Sequence, residues 1–150
     1  MNVPSIRNFE INDAEAFYEM ANAFYTSEAV HDTISPDFLR NTFDACINKS
    51  PFIRGFLICC GDKISGYALL TFTYSNEYGG KIMSIDELFI KGEFRKIGLA
   101  DYFISTILSE YKQDISCIEI VVSKDNIAGM SLWAKHGFTP SDYLSMYKTL

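Results

Sequence analysis

Three consecutive segments of this sequence have the composition of β-strands, and two short breaks that contain glycine separate them. Residues 52–60, 63–74 and 81–90 are rich in β-branched, aromatic and aliphatic side chains. A Gly-Asp dipeptide at 61–62 forms the first break, and a Gly-Gly dipeptide at 79–80 lies in the second. Glycine-containing breaks of this kind are typical of hairpins. We therefore predict three neighbouring antiparallel strands in the middle of the chain.

Helical periodicity replaces the strand pattern on both sides of these segments. The other predicted elements are a strand at 3–9, a helix after Asn12, a helix that begins at Ser35-Pro36, a helix at 100–111, a strand at 115–122, a helix at 126–136 and a strand at 143–149. This order of elements predicts an α+β fold with a mixed sheet. A chain of 150 residues has the size of one domain, so we expect residues 1–150 to form a single domain.

Composition and charge exclude several classes of function. The formal charge of −6 and the lack of clustered Lys and Arg argue against nucleic acid as a partner. No apolar run reaches the length of roughly 18 residues that a membrane helix needs, and the start resembles no secretory signal, so we expect no membrane partner and a cytoplasmic location. The four cysteines lack the paired spacing of a zinc site, and His31 and His136 stand far apart, so no metal is expected.

The loop at 92–98 has the features of a phosphate-binding site. It leads directly into the predicted helix at 100–111, and the first N–H groups of a helix have no partner within it and favour an anion. Arg95 and Lys96 add positive charge, while Gly98 permits close approach of the backbone. The same residues also fit an ordinary basic loop that leads into a helix.

Two segments together resemble the GNAT superfamily of N-acetyltransferases. The run Arg95-Lys96-Ile97-Gly98-Leu99-Ala100 resembles its acetyl-CoA motif R/Q-x-x-G-x-G/A, and residues 85–90 resemble the strand that precedes that motif. Residues 126–138 resemble the next element, in which an Asn opens a helix, an aromatic residue follows and Gly-Phe closes it. The resemblance implies a mixed, mostly antiparallel central sheet of six to seven strands flanked by about four helices.

The resemblance also implies acetyl-CoA as the cosubstrate, with no metal. Main-chain groups of Leu88, Phe89 and Ile90 would pair with its pantetheine arm. The pyrophosphate would lie on Arg95, Lys96, Ile97, Gly98, Leu99, Ala100 and Asp101. Asn126 and Trp133 would complete the coenzyme site, although Asn126 also fits a plain helix N-cap and Trp133 a packing role.

The resemblance further implies that the fourth and fifth strands splay apart and that an acceptor amine attacks the thioester directly in a ternary complex. A carboxylate would then take a proton from the amine. Asp86 stands at the matching position, nine residues before Arg95, and Glu87 is its neighbour with the longer reach. Strand alternation directs the two side chains to opposite faces. We favour Asp86 and keep Glu87 as the alternative; either also fits an ordinary charged residue at a strand end.

The function implied is transfer of an acetyl group to a primary amine of a small molecule or a peptide. The alternative is a non-catalytic module that binds or senses acyl-CoA. Residues 25–36 and 74–80 are expected to form the acceptor pocket, with Glu28, Asp32 and Glu77 as candidate contacts for an amine; each of the three also fits an ordinary solvated loop charge. Many members of the family place a Tyr where this chain has Trp133, which leaves the proton donor for the leaving thiolate open. The oligomeric state is also open, and a homodimer is one alternative.

Overall fold

The computed structural model describes residues 2–30 and 32–150, so Met1 and His31 lie outside the described residues. Within these ranges the chain forms five strands and four α-helices. They are β1 (Pro4–Asn8), α1 (Ala14–Tyr25), α2 (Pro36–Ile47), β2 (Ile53–Cys60), β3 (Lys63–Ser75), β4 (Gly80–Ile90), α3 (Leu99–Tyr111), β5 (Cys117–Ile120) and α4 (Ile127–Lys135). Single 3-10 turns precede α1 at Ile11–Asp13 and α3 at Gly92–Phe94.

One sheet organises the molecule, with its strands in the spatial order β1-β2-β3-β4-β5. The first four strands are antiparallel, and β5 is parallel to β4. Side chains of α1 and α2 pack against one face, where Phe17, Leu39 and Tyr67 are buried together. Side chains of α3 and α4 pack with the other face around Phe103, and Trp133 belongs to this second core. The predicted α+β class and the mixed, mostly antiparallel sheet are confirmed.

The predicted number of six to seven strands is wrong, because the described residues form five. The segment 143–149, predicted as the last strand, pairs with no strand in the described part of the chain. Its residue types are those of a strand, but a strand forms only when its backbone groups find hydrogen-bond partners. The strand predicted at 115–122 is shorter than expected, because β5 pairs with β4 only from Cys117 to Ile120.

Local sequence signals place the ends of α2 and α4. Ser35 accepts a hydrogen bond from the backbone of Asp37 (3.2 Å) and Pro36 occupies the first turn of α2, as the sequence predicts. Gly137 adopts the left-handed φ of 87° after α4. The N–H of Phe138 donates to Trp133 (3.1 Å), and the two rings pack edge to face at 5.4 Å. This is the predicted glycine-terminated helix end with its closing hydrophobic contact.

A partly buried ion pair joins β1 to the turn before α1. The carboxylate of Asp13 accepts hydrogen bonds from Arg7 Nη1 (2.7 Å) and Nη2 (2.9 Å) and from the backbone N–H of Glu10 (2.7 Å). Asp13 is buried, whereas Arg7 is partly exposed. The hydrogen bonds from Arg7 lower the pKa of the Asp13 carboxyl below its usual value.

Asp13→Asn is expected to lower the free energy of unfolding by about 2 kcal/mol at neutral pH, because it removes charge-assisted hydrogen bonds from a buried acceptor. Since the pKa of Asp13 is lowered on folding, this stabilisation is fully present above the ordinary pKa of 3.8 and is lost as the pH falls through the folded value. Urea unfolding of both proteins between neutral pH and pH 3 measures it. Asp37→Asn is the control, because the Asp37–Arg40 pair is exposed and worth at most about 1 kcal/mol. Equal losses in the two variants would contradict the assignment.

Candidate functional site

A cleft of about 760 Å³ opens where β4 and β5 separate. Pairing of the two strands ends at Ile85 and Ile120, yet β4 continues to Ile90. The walls come from the end of α1, from β4, from the loop before α3, from the residues after β5 and from α4; they include Phe24, Glu28, Asp86, Leu88, Arg95, Gly98, Val121, Val122, Asn126 and Trp133. A shallower depression on α3 is lined by residues of that helix alone, from Tyr102 to Glu110. The cleft is where separate elements bring their functional groups together.

A bulge in β4 sets the directions of the two candidate carboxylates. Ile85 pairs with Leu70 and Glu87 pairs with Leu69, so Asp86 has no partner in β3. An extra residue of this kind changes which side chains face each side of the sheet. Met83 and Ile85 lie in the core beneath α3, whereas Phe89, beyond the bulge, lies in the core beneath α1. The side chains at odd-numbered positions therefore change from the α3 face to the α1 face at the bulge, and Asp86 at the bulge lines the cleft.

Asp86 lines the cleft and remains accessible to solvent. The walls around it still remove much of the hydration of its carboxylate, and this burial raises the pKa of Asp86 above its usual value. Water therefore reaches the Asp86 carboxylate, while the surrounding protein favours the protonated form of that carboxyl group. A carboxylate in such a position is suited to accept a proton from a molecule bound in the cleft.

Glu87 is buried on the α1 side of the sheet, with 7% of its surface exposed. The hydroxyl of Tyr25 donates to its Oε1 and the hydroxyl of Tyr67 donates to its Oε2, each at 2.6 Å. Burial raises the pKa of Glu87, and the two phenol hydrogen bonds oppose that rise. Because Glu87 accepts a hydrogen bond from Tyr25, the last residue of α1, it fixes the end of that helix. Residues 27–29, which follow the helix, line the cleft. Glu87 is thus placed to position a wall of the site.

The loop before α3 presents a row of free backbone donors. Within residues 2–30 and 32–150, no N–H group from Lys96 to Asp101 donates a hydrogen bond to a protein acceptor. The first intrahelical bond runs from Tyr102 to the carbonyl of Gly98 (2.9 Å). Six consecutive free N–H groups at and before a helix N-terminus could hold an anion of several oxygens.

Two residues with positive φ give the loop this shape. Lys96 has a φ of 62° and Gly98 a φ of 87°. A Cβ at position 98 would meet no atom within 4 Å, so the glycine leaves open space above the helix N-terminus. Arg95 donates from Nε to the carbonyl of Ile90 (2.9 Å), and its guanidinium lies 5.8 Å from the centroid of the Phe89 ring. Its terminal nitrogens donate no hydrogen bond to any protein acceptor in the part of the chain that the structure describes.

The part of β4 beyond the bulge has one free edge. The N–H of Lys91 donates to Ser65 of β3 (2.9 Å). Backbone groups of successive residues alternate between the two edges of a strand, so the N–H of Phe89 also points toward β3. Those of Leu88 and Ile90 point to the other edge, into the gap that β5 leaves. An extended ligand could pair there as an added strand.

Asn126 and Trp133 reach the cleft from α4. Asn126 is the N-cap of that helix, since its Oδ1 accepts from the N–H of Gly129 (2.9 Å). A Cβ at Gly129 would lie 2.5 Å from Nδ2 of Asn126, so the absence of a side chain at Gly129 makes room for the cap. Trp133 is buried in the core beneath α3 and α4. Both residues therefore combine a structural role with a place in the cleft wall.

A charge cluster joins the start of α3 to the end of α4. Lys135 Nζ and His136 Nε2 each lie 2.8 Å from the same carboxylate oxygen of Asp101. The hydrogen bond from Lys135, together with that from His136, lowers the pKa of Asp101. Two cationic or donor groups thus offset the negative charge of a carboxylate that stands in the first turn of α3. The free N–H groups of that turn keep their attraction for anions.

The acceptor region predicted from sequence is only in part at the cleft. Ser27, Glu28 and Ala29 line it, but among the described residues neither Asp32 nor any residue of 74–80 does. His31 lies outside the described residues. Sequence reasoning missed the two tyrosine partners of Glu87. A signal existed, because Tyr67 stands in a buried strand where its hydroxyl needs a polar partner.

Among residues 2–30 and 32–150, no group of three or more His, Cys, Asp or Glu side chains is placed to hold a metal ion. No helix in these ranges has the length and apolar character required to cross a bilayer.

Comparison with known proteins shows a family match and structural neighbours. The model of the acetyltransferase (GNAT) family matches residues 14–138. No curated protein matches the chain. A possible acetyltransferase from Clostridium difficile 630 superposes with a TM-score of 0.85 at 18% identity, covering 99% of each chain.

Two further neighbours were solved with coenzyme-type ligands. AAC(6')-Iy in complex with the bisubstrate analogue CoA-S-monomethyl-acetylneamine has a TM-score of 0.80 at 13% identity over 99% of both chains. A predicted acetyltransferase from Clostridium acetobutylicum with acetyl-CoA has a TM-score of 0.77 at 18% identity, over 97% of this chain and 96% of that one. At these identities the structural likeness establishes the fold.

Proposed function

The chain belongs to the acetyltransferase (GNAT) family, and we propose that it transfers an acetyl group from acetyl-CoA to a primary amine of a small molecule, with a peptide amine as the other acceptor considered. We also propose that residues 1–150 act as one domain, because helices from both ends of the chain pack on the same sheet. The observation that carries the proposal is the row of six free N–H groups from Lys96 to Asp101; all of these residues except Ile97 line the cleft between β4 and β5.

The coenzyme would use main-chain groups in two places. Its pyrophosphate fits the free N–H groups of Lys96, Ile97, Gly98, Leu99, Ala100 and Asp101, with Arg95 and Lys96 as the neighbouring positive charges. Its pantetheine arm carries amide groups, which match the outward N–H and C=O groups of Leu88 and the outward N–H of Ile90, whose carbonyl already accepts from Arg95 Nε. Phe89 contributes the ring beneath Arg95. Asn126 and Trp133 would line the α4 side.

Attack on the thioester needs an uncharged amine, and we propose that Asp86 removes the extra proton from the acceptor. Its carboxylate takes one proton from the ammonium form of the acceptor, directly or through water. The amine nitrogen then attacks the thioester carbonyl carbon, and the new C–N bond replaces the C–S bond. The attacking nitrogen gives up its second proton as the thiolate of coenzyme A leaves and is protonated. An amide, a thiol and one released proton are the products.

The acceptor end of the cleft has a negative character. Glu28 and Asp86 line the cleft on the α1 and β4 side, whereas Arg95 and Lys96 line it from the loop before α3, where the carboxylate of Asp101 is paired with Lys135 and His136. A cationic acceptor would be drawn to the carboxylate end and the phosphates to the other. The AAC(6')-Iy neighbour is an aminoglycoside N-acetyltransferase, and aminoglycosides are cationic amines of this kind. This likeness supports a small-molecule amine as the first acceptor class to test.

The experiment is thiol release on mixing the protein with acetyl-CoA and a panel of amines, including simple diamines, aminoglycosides and peptides with a free N-terminus. Saturable release that depends on both substrates is the expected result, and the acetylated product is identified by mass. Tight binding of acetyl-CoA without release for any amine would contradict the proposal and support a non-catalytic acyl-CoA-binding module. Absence of coenzyme binding would overturn both.

Trp133 tests whether an ionisable side chain must protonate the leaving thiolate. Indole does not ionise in this pH range, and a thiolate leaves readily, so no phenol is required at this position. Trp133→Phe is expected to keep turnover within about tenfold and to lower the free energy of unfolding by about 1–3 kcal/mol, because it trims the buried contact with Phe138. Thiol-release kinetics and thermal unfolding measure the two effects. A thousandfold loss of turnover in a folded, coenzyme-binding variant would assign the indole N–H a part in the chemistry.

A further inference from the structure

The charge cluster of Asp101, Lys135 and His136 has no part in the proposed transfer chemistry. Lys135 Nζ and His136 Nε2 each lie 2.8 Å from Oδ1 of Asp101. Asp101 stands in the first turn of α3, whereas Lys135 ends α4 and His136 is the C-cap of that helix. The His136 side chain is only 12% exposed, so the protein holds it in place. The cluster therefore joins the end of α4 to the start of α3 by a fixed contact.

Asp101 places a negative charge at the proposed coenzyme site. Its own N–H belongs to the row of free donors, and the residue lines the cleft. The helix dipole favours a carboxylate in the first turn of a helix. The same carboxylate repels a phosphate that binds to that turn. The affinity of this helix start for an anion therefore depends on how completely the charge of Asp101 is offset.

The two partners of Asp101 offset its charge in different ways. A lysine ammonium is positive throughout the physiological pH range. Histidine is the side chain whose charge changes between about pH 5 and 8. A neutral imidazole can donate from Nε2 to Asp101, and it becomes positive when Nδ1 also takes up a proton. The cluster is therefore neutral overall when His136 is neutral, and it carries one positive charge when His136 is protonated.

Water can reach the ring nitrogen that must take up this proton. Nδ1 of His136 has no hydrogen-bond partner in the described part of the chain, and no side-chain nitrogen or oxygen there is both fully buried and unpartnered. Nδ1 is thus in contact with solvent. The charged groups that face His136 among the described residues are Asp101 from α3 and Lys135 from its own helix. Arg95 and Lys96, in the loop before α3, are the other charges on this side of the cleft.

We propose that His136 is a positioning residue of the coenzyme site, which raises the affinity for acetyl-CoA when its protonated ring offsets the charge of Asp101. This role depends on the proposed coenzyme site but not on transfer to an amine. Affinity then rises as the pH falls through the range in which His136 titrates. By linkage, the bound coenzyme also favours the protonated ring. One charge near a partly exposed anion changes affinity by about three- to tenfold.

Nuclear magnetic resonance of the unaltered protein measures this linkage directly. The sequence has two histidines, His31 and His136, so His31→Gln assigns their ring signals. With saturating acetyl-CoA, the titration midpoint of the His136 ring is expected to move to higher pH by about 0.5–1 unit. Linkage requires this shift for a three- to tenfold change in affinity. A midpoint that stays in place, or that moves to lower pH, would overturn the proposal.

Calorimetric titration with acetyl-CoA between about pH 5.5 and 8.5 compares matched variants across the range in which histidine titrates. His136→Gln keeps a donor for Asp101 but cannot become charged. It should bind as the unaltered protein does at the upper pH and about three- to tenfold more weakly at the lower pH. Lys135→Gln is the control, because loss of a permanent charge should weaken binding by a similar factor at both pH values. His136→Lys should bind tightly at both.

These measurements distinguish the role of His136 from the proposed function. The coenzyme phosphates and Asp86 titrate in every variant, so the difference between two proteins isolates His136. A constant ratio of affinities between the unaltered protein and His136→Gln would show that the ring only packs, and the proposal would fail while the coenzyme site remained. If no protein bound acetyl-CoA at any pH, both the coenzyme site and the role of His136 would be wrong.

Discussion

Gly98→Asp is expected to lower the affinity for acetyl-CoA by at least ~100-fold. The substitution places a carboxylate among the free N–H groups that would hold the pyrophosphate. Like charges brought together in a binding site cost several kcal/mol, and each 1.4 kcal/mol is about a tenfold change in affinity. The added side chain also fills the open space above the helix N-terminus that the glycine leaves. Calorimetric titration with acetyl-CoA measures the loss.

The variant should fold, which makes the experiment decisive. The φ of 87° at Gly98 lies in the left-handed region, where Asp and Asn are the best tolerated side chains, and a Cβ there meets no atom within 4 Å. Gly79→Asp is the matched control. Gly79 has a φ of 66° and equal free space, but it lies in the hairpin between β3 and β4. It should bind acetyl-CoA as the unaltered protein does.

Gly98→Asn separates charge from volume. It adds a side chain of nearly the same size without the negative charge, so the difference between the two variants at position 98 measures the electrostatic part of the loss. Unchanged affinity in a folded Gly98→Asp protein would show that the coenzyme binds elsewhere and would remove the main support for the proposed function.

The elements that depend on nearby residues could be predicted from the sequence. The hairpins follow from strand-like runs between glycine breaks, and the N-cap at Ser35 and the helix end at Gly137 follow from residues within one or two turns. The free N–H groups after Arg95 could be predicted for the same reason, because a loop that leads into a helix start is a local feature. The confirmed family assignment rests on such local motifs.

The features that depend on distant contacts could not be predicted. The bulge at Asp86 arises from the pairing register of β3 with β4. The residue types in the two strands do not determine that register by themselves. The bond from Tyr25 to Glu87 spans 62 positions in the sequence. The segment 143–149 has the composition of a strand, but whether it forms one depends on a neighbouring edge. The hairpin residues 74–80 do not line the cleft, contrary to the prediction, because the sequence carries no signal of how far a loop lies from a site.

Asp86→Asn is expected to lower kcat by ~100- to 10,000-fold with little change in affinity for acetyl-CoA. The amide has nearly the same size as the carboxylate but cannot accept the proton of the acceptor ammonium. In the unaltered enzyme, kcat should fall as the pH decreases through the pKa of Asp86, because only the ionised form is a base. Burial raises that pKa, so the acid limb should lie above the usual value of 3.8. In the variant this limb should disappear along with most of the turnover.

Glu87→Gln distinguishes the base from its neighbour. Glutamine keeps one acceptor for the phenol hydroxyls of Tyr25 and Tyr67 but loses the charge, so the end of α1 would be held less firmly. Because that end carries the cleft-lining residues Ser27 and Glu28, the expected effect is a higher KM for the amine, with kcat reduced by no more than about tenfold and the acid limb retained. Initial rates across pH for both variants, with acetyl-CoA affinity measured separately, separate the two roles. If Glu87→Gln abolished the acid limb while Asp86→Asn preserved it, the buried carboxylate would be the base and Asp86 a residue of the cleft wall.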